Sequence, residues 1–133
     1  MINRVHCILY VDDQKASTAF YAALLEKAPS MDVPGMTEFE LPGGTVLGLM
    51  PRQGIQTLLE PDSKLEVFTA SSLPAWTSEL YLVVEDAQAY LDRALCAGGR
   101  LLSSIAERDW GHRVGYCLDL DRTVLAFAEA EDR

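Results

Sequence analysis

The sequence has no long hydrophobic run and little positive charge. None of its apolar stretches approaches the roughly 18 residues that a membrane helix needs. Its 11 lysines and arginines are outnumbered by 20 aspartates and glutamates, which gives a net charge of -9 at pH 7. Proteins that bind nucleic acids instead need clustered lysine and arginine to meet the phosphates. We therefore expect neither a membrane segment nor a nucleic-acid partner.

Cysteines and the common cofactor motifs are also scarce. The three cysteines, Cys7, Cys96 and Cys117, are an odd number without metal-site spacing, and each lies in an apolar segment. Buried, reduced thiols are the simplest interpretation. No P-loop, dinucleotide-binding glycine signature, nucleophile elbow or zinc-finger spacing occurs. The first residues lead into a strand-like segment without a secretory hydrophobic region, so we expect a cytoplasmic protein.

The sequence does contain one pattern of predicted strands and a helix that occurs twice. The stretch HCILYVDD that begins at His6 is similar to ELYLVVED, which begins at Glu79. Likewise TVLGLMP, from Thr45, is similar to TVLAFAE, from Thr123. Each half predicts a strand, acidic helix caps, a helix and three further strands. Such self-similarity indicates a repeated supersecondary unit.

A chain of 133 residues suits one domain made of two such modules. We expect the first βαβββ module over residues 1–51, a connector over 52–78 and the second module over 79–133. The helices are predicted over 16–28 and 87–97. The connector contains at most one short helical turn in this interpretation. Its length indicates either a lid or a tether between the modules.

Three segments resemble the vicinal oxygen chelate superfamily, which includes glyoxalase I, bleomycin resistance proteins, fosfomycin-modifying enzymes and extradiol dioxygenases. They are VHCILYVDDQKASTAFYAALL, ELYLVVEDAQAYLDRALCAGG and DWGHRVGYCLDLDRTVLAFAE. The last resembles the family's Asp-Pro-Asp-Gly turn, with Leu120 and Arg122 replacing the proline and the glycine. The resemblance implies an α+β fold in which two βαβββ modules form a curved, open, barrel-like mixed sheet. It also implies a ligand cup between the modules and a homodimer.

Metal-using members of this superfamily place histidine, glutamate or glutamine at four positions on the first and last strands of the modules. The resemblance carries these positions to His6, Gly48, Glu79 and Ala126. Glycine and alanine have no side-chain donor, and two donors give a weak site at best for a divalent ion. We expect no cofactor, although an incomplete metal site based on His6 and Glu79 stays open.

Alternation along the strands separates the residues that pack under a helix from those on the opposite face. The residues expected to contact a ligand on that opposite face are His6, Tyr10, Gly48, Met50, Glu79, Tyr81 and Ala126. The small residues at 48 and 126 would widen the pocket. Trp110 or Trp76 could cover its mouth, and Arg113 could orient an anionic ligand, with an exposed strand position as the alternative.

His6 and Glu79 are the candidates for catalysis. A histidine at this place can be a general base, a metal ligand, a binding contact or a satisfied buried imidazole. A carboxylate in a half-apolar cup needs a partner, so our hypothesis pairs Glu79 with His6. We expect metal-independent binding of a small, partly apolar molecule, as in the bleomycin resistance relatives. The alternative is a glyoxalase-like lyase or isomerase, or a dioxygenase, that uses these two residues.

Overall fold

A computed structural model describes residues 1–63 and 78–130 of the chain. Backbone contacts divide the chain into two compact units, each with one four-stranded mixed sheet. Strand, helix and three further strands follow each other in both units. The predicted α+β fold of two βαβββ modules is confirmed. Within the described ranges, no helix combines the length and the apolar character that a membrane crossing requires.

The first unit has its strands in the order β1-β4-β3-β2, with β1 parallel to β4 and the other pairs antiparallel. A 12-residue helix follows β4 directly, where the sequence predicted a connector with a short helical turn. Buried Ile55 anchors this helix, which explains its greater length. The elements are β1 (His6–Val11), α1 (Gln14–Leu25), β2 (Met31–Val33), β3 (Met36–Glu40), β4 (Val46–Pro51) and α2 (Arg52–Ser63). Residues 64–77 of the predicted connector lie outside the described ranges.

The second unit repeats this strand order as β5-β8-β7-β6. Here β5 is parallel to β8, and the other neighbours are antiparallel. The two edge strands are therefore β5 and β6. The elements are β5 (Glu79–Val83), α3 (Ala87–Cys96), β6 (Arg100–Glu107), β7 (His112–Leu118) and β8 (Val124–Ala130).

The helices α1 and α3 are each capped at the N-terminus by an aspartate, as the repeated acidic pairs predict. The Asp13 carboxylate accepts a hydrogen bond from the Ala16 N–H at 3.0 Å, and Asp86 does the same for Ala89 at 3.1 Å. These contacts satisfy N–H groups that have no partner within the helix. α1 ends before the predicted residue 28, because Glu26 adopts a left-handed conformation with φ 53°.

A glycine determines how closely α3 approaches the second sheet. A Cβ at Gly115 would lie 3.2 Å from Leu91 Cδ2 of α3 and 2.7 Å from Ile105 Cγ1. In the first unit, Thr37 of β3 links the sheet to α1 by accepting hydrogen bonds from Gln14 and Thr18. Each sheet therefore has a helix face, and functional side chains can occupy the other face.

Candidate functional site

The sheet of the second unit has one face toward α3 and one face away from it. Tyr90 of α3 lies beside Phe127 of β8, with ring centroids 5.9 Å apart, which identifies the helix face. Because successive residues alternate, the strand pairing places Tyr81, Ala126 and Tyr116 in one row on the opposite face. We call this opposite surface the tyrosine face. Its members are Glu79, Tyr81, Val83, His112, Val114, Tyr116, Ala126 and Ala128.

The hydroxyl of Tyr81 is the polar centre of the tyrosine face. It lies 2.6 Å from Nδ1 of His112 and accepts a 2.9 Å hydrogen bond from Nε1 of Trp110. An indole N–H can only donate, so the Tyr81 oxygen is the acceptor in its contact with Trp110. The direction of the hydrogen bond with His112 depends on the tautomer of the imidazole. The second ring nitrogen of His112, Nε2, is the group that a ligand could contact.

The residues packed under the rings of Tyr81 and Tyr116 are small and buried. Val114, Ala126 and Ala128 are fully buried, and the partly buried rings of Tyr81 and Tyr116 pack against them. The small side chain at Ala126 therefore makes room for tyrosine rings and does not itself reach the surface. Close packing of this kind fixes the position of the hydroxyl groups that the rings carry.

Tyr116 is held from the side by Arg108. The Arg108 guanidinium lies 5.3 Å from the centre of the Tyr116 ring, and it donates hydrogen bonds to the Val114 carbonyl and to Ser103 Oγ. Burial, followed by the negative charge of Glu79, raises the pKa of Tyr116 above its usual 10.0, although Arg108 opposes the shift. Tyr116 is therefore a neutral phenol at physiological pH.

The first unit carries a comparable face, opposite Thr37 and α1. The imidazole Nδ1 of His6 lies 3.5 Å from Glu38 Oε2 across this face. Glu38 pairs with Gly48 in the ladder, so its contact with His6 lies beside a position without a side chain. Residues that share the face include His6, Ile8, Tyr10, Met36, Glu38, Gly48 and Met50.

The space above Gly48 is already filled. A Cβ at this position would lie 2.8 Å from Ile8 Cδ1 and 3.3 Å from Met36 Sδ. The glycine thus admits two apolar side chains from the neighbouring strands. We predicted instead that its small size would widen a pocket.

Two of the four family metal positions have no side chain that could bind a metal ion. Ile8 and Met36 fill the space above Gly48, and tyrosine rings cover Ala126. Across residues 1–63 and 78–130, no three histidine, cysteine or carboxylate side chains form a cluster that could hold a cation. His6 has a carboxylate partner in Glu38. Its predicted pairing with Glu79 stays a prediction.

Arg113 lies on the helix face of its sheet. It pairs with Glu129 in the ladder, and its Nη1 lies 3.6 Å from Glu129 Oε1. The other Glu129 oxygen accepts the backbone N–H of Ala87, the first residue of α3, at 2.8 Å. Arg113 is therefore placed beside the start of α3, away from the tyrosine face where we predicted a contact with an anionic ligand.

Sequence reasoning did not include His112 among the expected ligand contacts. The residue begins β7, and alternation from Val114 places it on the tyrosine face. Only the exact start of this strand would have revealed that. Of the two tryptophans proposed to cover a ligand, Trp110 contacts Tyr81, whereas Trp76 lies outside the described residues.

The comparison with family models gives a match over residues 3–127 to the Glyoxalase/Bleomycin resistance protein/Dioxygenase superfamily. None of the curated proteins compared with the chain matches it. Among solved structures, the fold is similar to that of a glyoxalase-related enzyme from Fulvimarina pelagi. That enzyme is 24% identical with a TM-score of 0.76, and the match covers 94% of this chain and 86% of that chain.

Two further solved structures extend the similarity over nearly complete chains. A glyoxalase/bleomycin resistance protein/dioxygenase family enzyme from Burkholderia phytofirmans is 17% identical with a TM-score of 0.77, with coverage of 95% and 97%. A protein from Agrobacterium tumefaciens is 28% identical with a TM-score of 0.72, with coverage of 99% and 100%. The family match and the repeated βαβββ topology agree. The chain belongs to the glyoxalase/bleomycin resistance protein/dioxygenase superfamily.

Proposed function

We propose that the chain binds a small, partly apolar molecule on the tyrosine face of its second unit. The observation that carries the proposal is the Tyr81 hydroxyl held between His112 and Trp110. Small-molecule sites commonly combine an apolar lining with a few fixed polar groups that orient the ligand. This contact supplies fixed polar groups on an aromatic surface.

Exposed apolar side chains beside this contact supply the lining. Trp110 is 54% exposed and Val83 is 59% exposed, whereas Val114, Ala126 and Ala128 are fully buried. Covering exposed apolar area with an apolar ligand group is favourable because water is released. An aromatic or short alkyl group on the ligand would make that contact.

His112 and Glu79 determine which polar group and which charge the proposed ligand should have. In the tautomer that has its proton on Nε2, His112 would donate to a carbonyl or hydroxyl oxygen of the ligand. Glu79 shares the tyrosine face, and its negative charge disfavours anionic ligands there. The proposed ligand is therefore a neutral molecule that joins an apolar group to an oxygen acceptor.

The matching face of the first unit provides further proposed ligand contacts. His6, Tyr10 and Met50 lie on it together with Glu38, so it too combines apolar and polar side chains. The duplicated topology supports a shared binding role for the two faces. The catalytic alternative is a glyoxalase-like lyase or isomerase, or a dioxygenase, that uses His6 and Glu79 either in a metal site or as an acid/base pair. Its metal-dependent form predicts near-stoichiometric metal in protein purified without chelator. The binding proposal predicts that His6→Ala alters affinity without altering metal content.

A homodimer and a cytoplasmic location complete the proposal. Both follow from the sequence and its family resemblance, and each has a simple test. Light scattering coupled to size-exclusion chromatography should give twice the mass of the 14.7 kDa chain. A monomer at micromolar concentration would contradict the dimer, and fractionation of the native host cells tests the location.

The binding proposal is tested with acetophenone, a neutral aromatic ketone. In a Trp76→Phe background Trp110 is the only indole of the chain, so its fluorescence reports on the tyrosine face. We expect saturable quenching, and Tyr81→Phe should weaken binding about threefold to tenfold because one hydrogen-bonding hydroxyl is lost. Tyr90→Phe, the same change on the helix side, is the control. Equal affinities of the two variants, or no saturable quenching, would contradict the proposal.

A further inference from the structure

A groove lies at the edge of the second sheet opposite to the strand that carries Tyr81. It forms where β6 begins, β7 ends and the turn toward β8 follows. Its volume is about 620 Å³, enough for a small organic molecule. The residues that line it are Arg100, Leu101, Leu102, Leu118, Asp119 and Arg122.

Two guanidinium groups give the groove its positive charge. Arg100 and Arg122 are both exposed, and neither side chain has a hydrogen bond or an ion pair with another residue of the described ranges. This is notable in a chain with 20 acidic and 11 basic side chains, where carboxylate partners are abundant. A guanidinium group presents paired N–H donors that match the two oxygens of a carboxylate.

Arg122 has a backbone conformation that residues with a side chain rarely adopt. Its φ is 68°, in the left-handed region that favours glycine, and the superfamily's turn has a glycine at this point. The Asp119 carboxylate holds the turn by accepting the backbone N–H groups of Asp121 and Thr123, each at 2.8 Å. A bulky residue in such a conformation is often connected with function. Here its side chain lines the groove.

The remaining wall is apolar. Leu101 and Leu102 are 47% and 39% exposed, although both are large hydrophobic residues. A register shift between Leu101 and Ser103 interrupts the pairing of β6 with β7 at this place. Consecutive leucines can therefore both reach the groove, whereas regular alternation would turn one of them away.

Asp119 limits the charge that the groove can accept. Its carboxylate lies in the lining, and one of its oxygens is engaged by the two backbone N–H groups of the turn. The negative charge of Asp119 offsets part of the field of the two arginines. A ligand with a single negative charge therefore suits the groove better than a phosphate dianion.

We propose that this groove binds a small amphipathic carboxylate. Its carboxylate group would meet Arg100 and Arg122, and its alkyl or aryl group would cover Leu101 and Leu102. The proposal is independent of ligand binding on the tyrosine face, where Glu79 favours a neutral molecule. The groove would therefore be a second site with a different ligand chemistry.

The test is a titration of the full-length, 15N-labelled protein with octanoate, followed by amide chemical shifts. We expect saturable shifts at the amides of Leu101, Leu102 and Arg122. Arg122→Gly removes the guanidinium and suits the positive φ, so this variant should fold and bind octanoate about tenfold more weakly or worse. Arg100→Gln should weaken binding in the same way. Octanol, which has the same chain without the charge, should give no saturable shifts at these amides.

Arg4→Gln is the matched control, since it removes one arginine from the first unit and should leave the affinity unchanged. Three results would overturn the proposal. They are octanoate shifts confined to other residues, affinities of Arg122→Gly and Arg100→Gln equal to that of the wild type, and no saturable shift at millimolar octanoate. Shifts at Tyr81 and Trp110 would report on the tyrosine face, so the two sites are tested separately.

Discussion

The hydroxyl of Tyr81 lies 2.6 Å from Nδ1 of His112, although the two residues are 31 positions apart in the chain. They meet because β5 and β7 both pair with β8, where Tyr81 is opposite Ala126, His112 is opposite Ala130, and Ala128 lies between these positions. A larger side chain at Ala126 or Ala128 would occupy the space under the Tyr81 ring. The small residues of β8 therefore create the polar contact on which the proposed function depends.

Tyr81→Phe should lower the free energy of unfolding by about 1 kcal/mol. The change leaves His112 Nδ1 and Trp110 Nε1 without their shared partner, but both groups lie near water, which limits the cost. Urea denaturation measures the difference. Tyr90→Phe serves as the control because it also removes one phenolic hydroxyl. A loss of equal size in both variants would show that the contact with His112 adds no stability.

Ala126→Glu should destabilise the protein by about 3 kcal/mol or more, because it places a carboxylate where the site is fully buried under two tyrosine rings. This substitution restores the residue type found in metal-using relatives, yet we expect no gain in bound metal. Ala106→Glu makes the same change at an exposed position of β6 and should cost little. Thermal unfolding and metal analysis of both variants provide the readouts. A stable, metal-loaded Ala126→Glu protein would contradict this description of the face.

Two glycine-to-alanine substitutions should differ strongly in cost. At Gly99 a Cβ would lie 2.8 Å from the Ala94 carbonyl oxygen and 2.9 Å from that of Leu118, so backbone must move. We expect a loss of about 2 kcal/mol or more. At Gly48 the nearest atom, at 2.8 Å, is the flexible end of Ile8, and the change should cost less than about 1 kcal/mol. Denaturation curves test the order, and a reversed order would contradict the packing described for the two glycines.

Cys117 should resist alkylation, whereas Cys96 should react readily. Burial, together with the charge of Asp119, raises the pKa of the Cys117 thiol from 9.0 to about 12, and Cys96 is exposed. Since the thiolate is the reactive form, iodoacetamide at pH 8 should label Cys96 first, as peptide mass spectrometry can show. Rapid labelling of native Cys117 would contradict its burial.

The same raised pKa gives a pH dependence with a definite sign. Folding keeps the Cys117 thiol protonated, so its contribution to stability is complete below pH 9.0 and is lost as the pH rises toward 12. Cys117→Ala should remove this part of the alkaline loss of stability. Denaturation of both proteins across that pH range measures it. Parallel curves for the two proteins would contradict the assignment.

The repeated strand endings predicted both sheets because strand and turn signals are local. His6 and Glu79 begin the first strand of each module, and alternation from them correctly separated the helix faces of β1 and β5. The side chains of His112 and Arg113 were harder to place. A shift of one residue in the register of β7 against β8 exchanges the two faces of the strand, and the preceding turn gives no signal that fixes this register.

Contacts between strands that are distant in sequence could not be predicted either. The contact of His6 with Glu38 depends on the register between β1, β4 and β3, which no local pattern encodes. The groove beside Arg122 likewise requires an irregular pairing of β6 that only the structure reveals.

The central claim is that a neutral, partly apolar molecule binds at Tyr81 and His112. A crystal structure of the protein soaked with acetophenone tests it most directly. We predict that the ketone oxygen lies within hydrogen-bonding distance of His112 Nε2, with the phenyl ring against Trp110 or Val83. Electron density for the ketone on the helix face alone, or a tyrosine face without ligand at saturating concentration, would contradict the account.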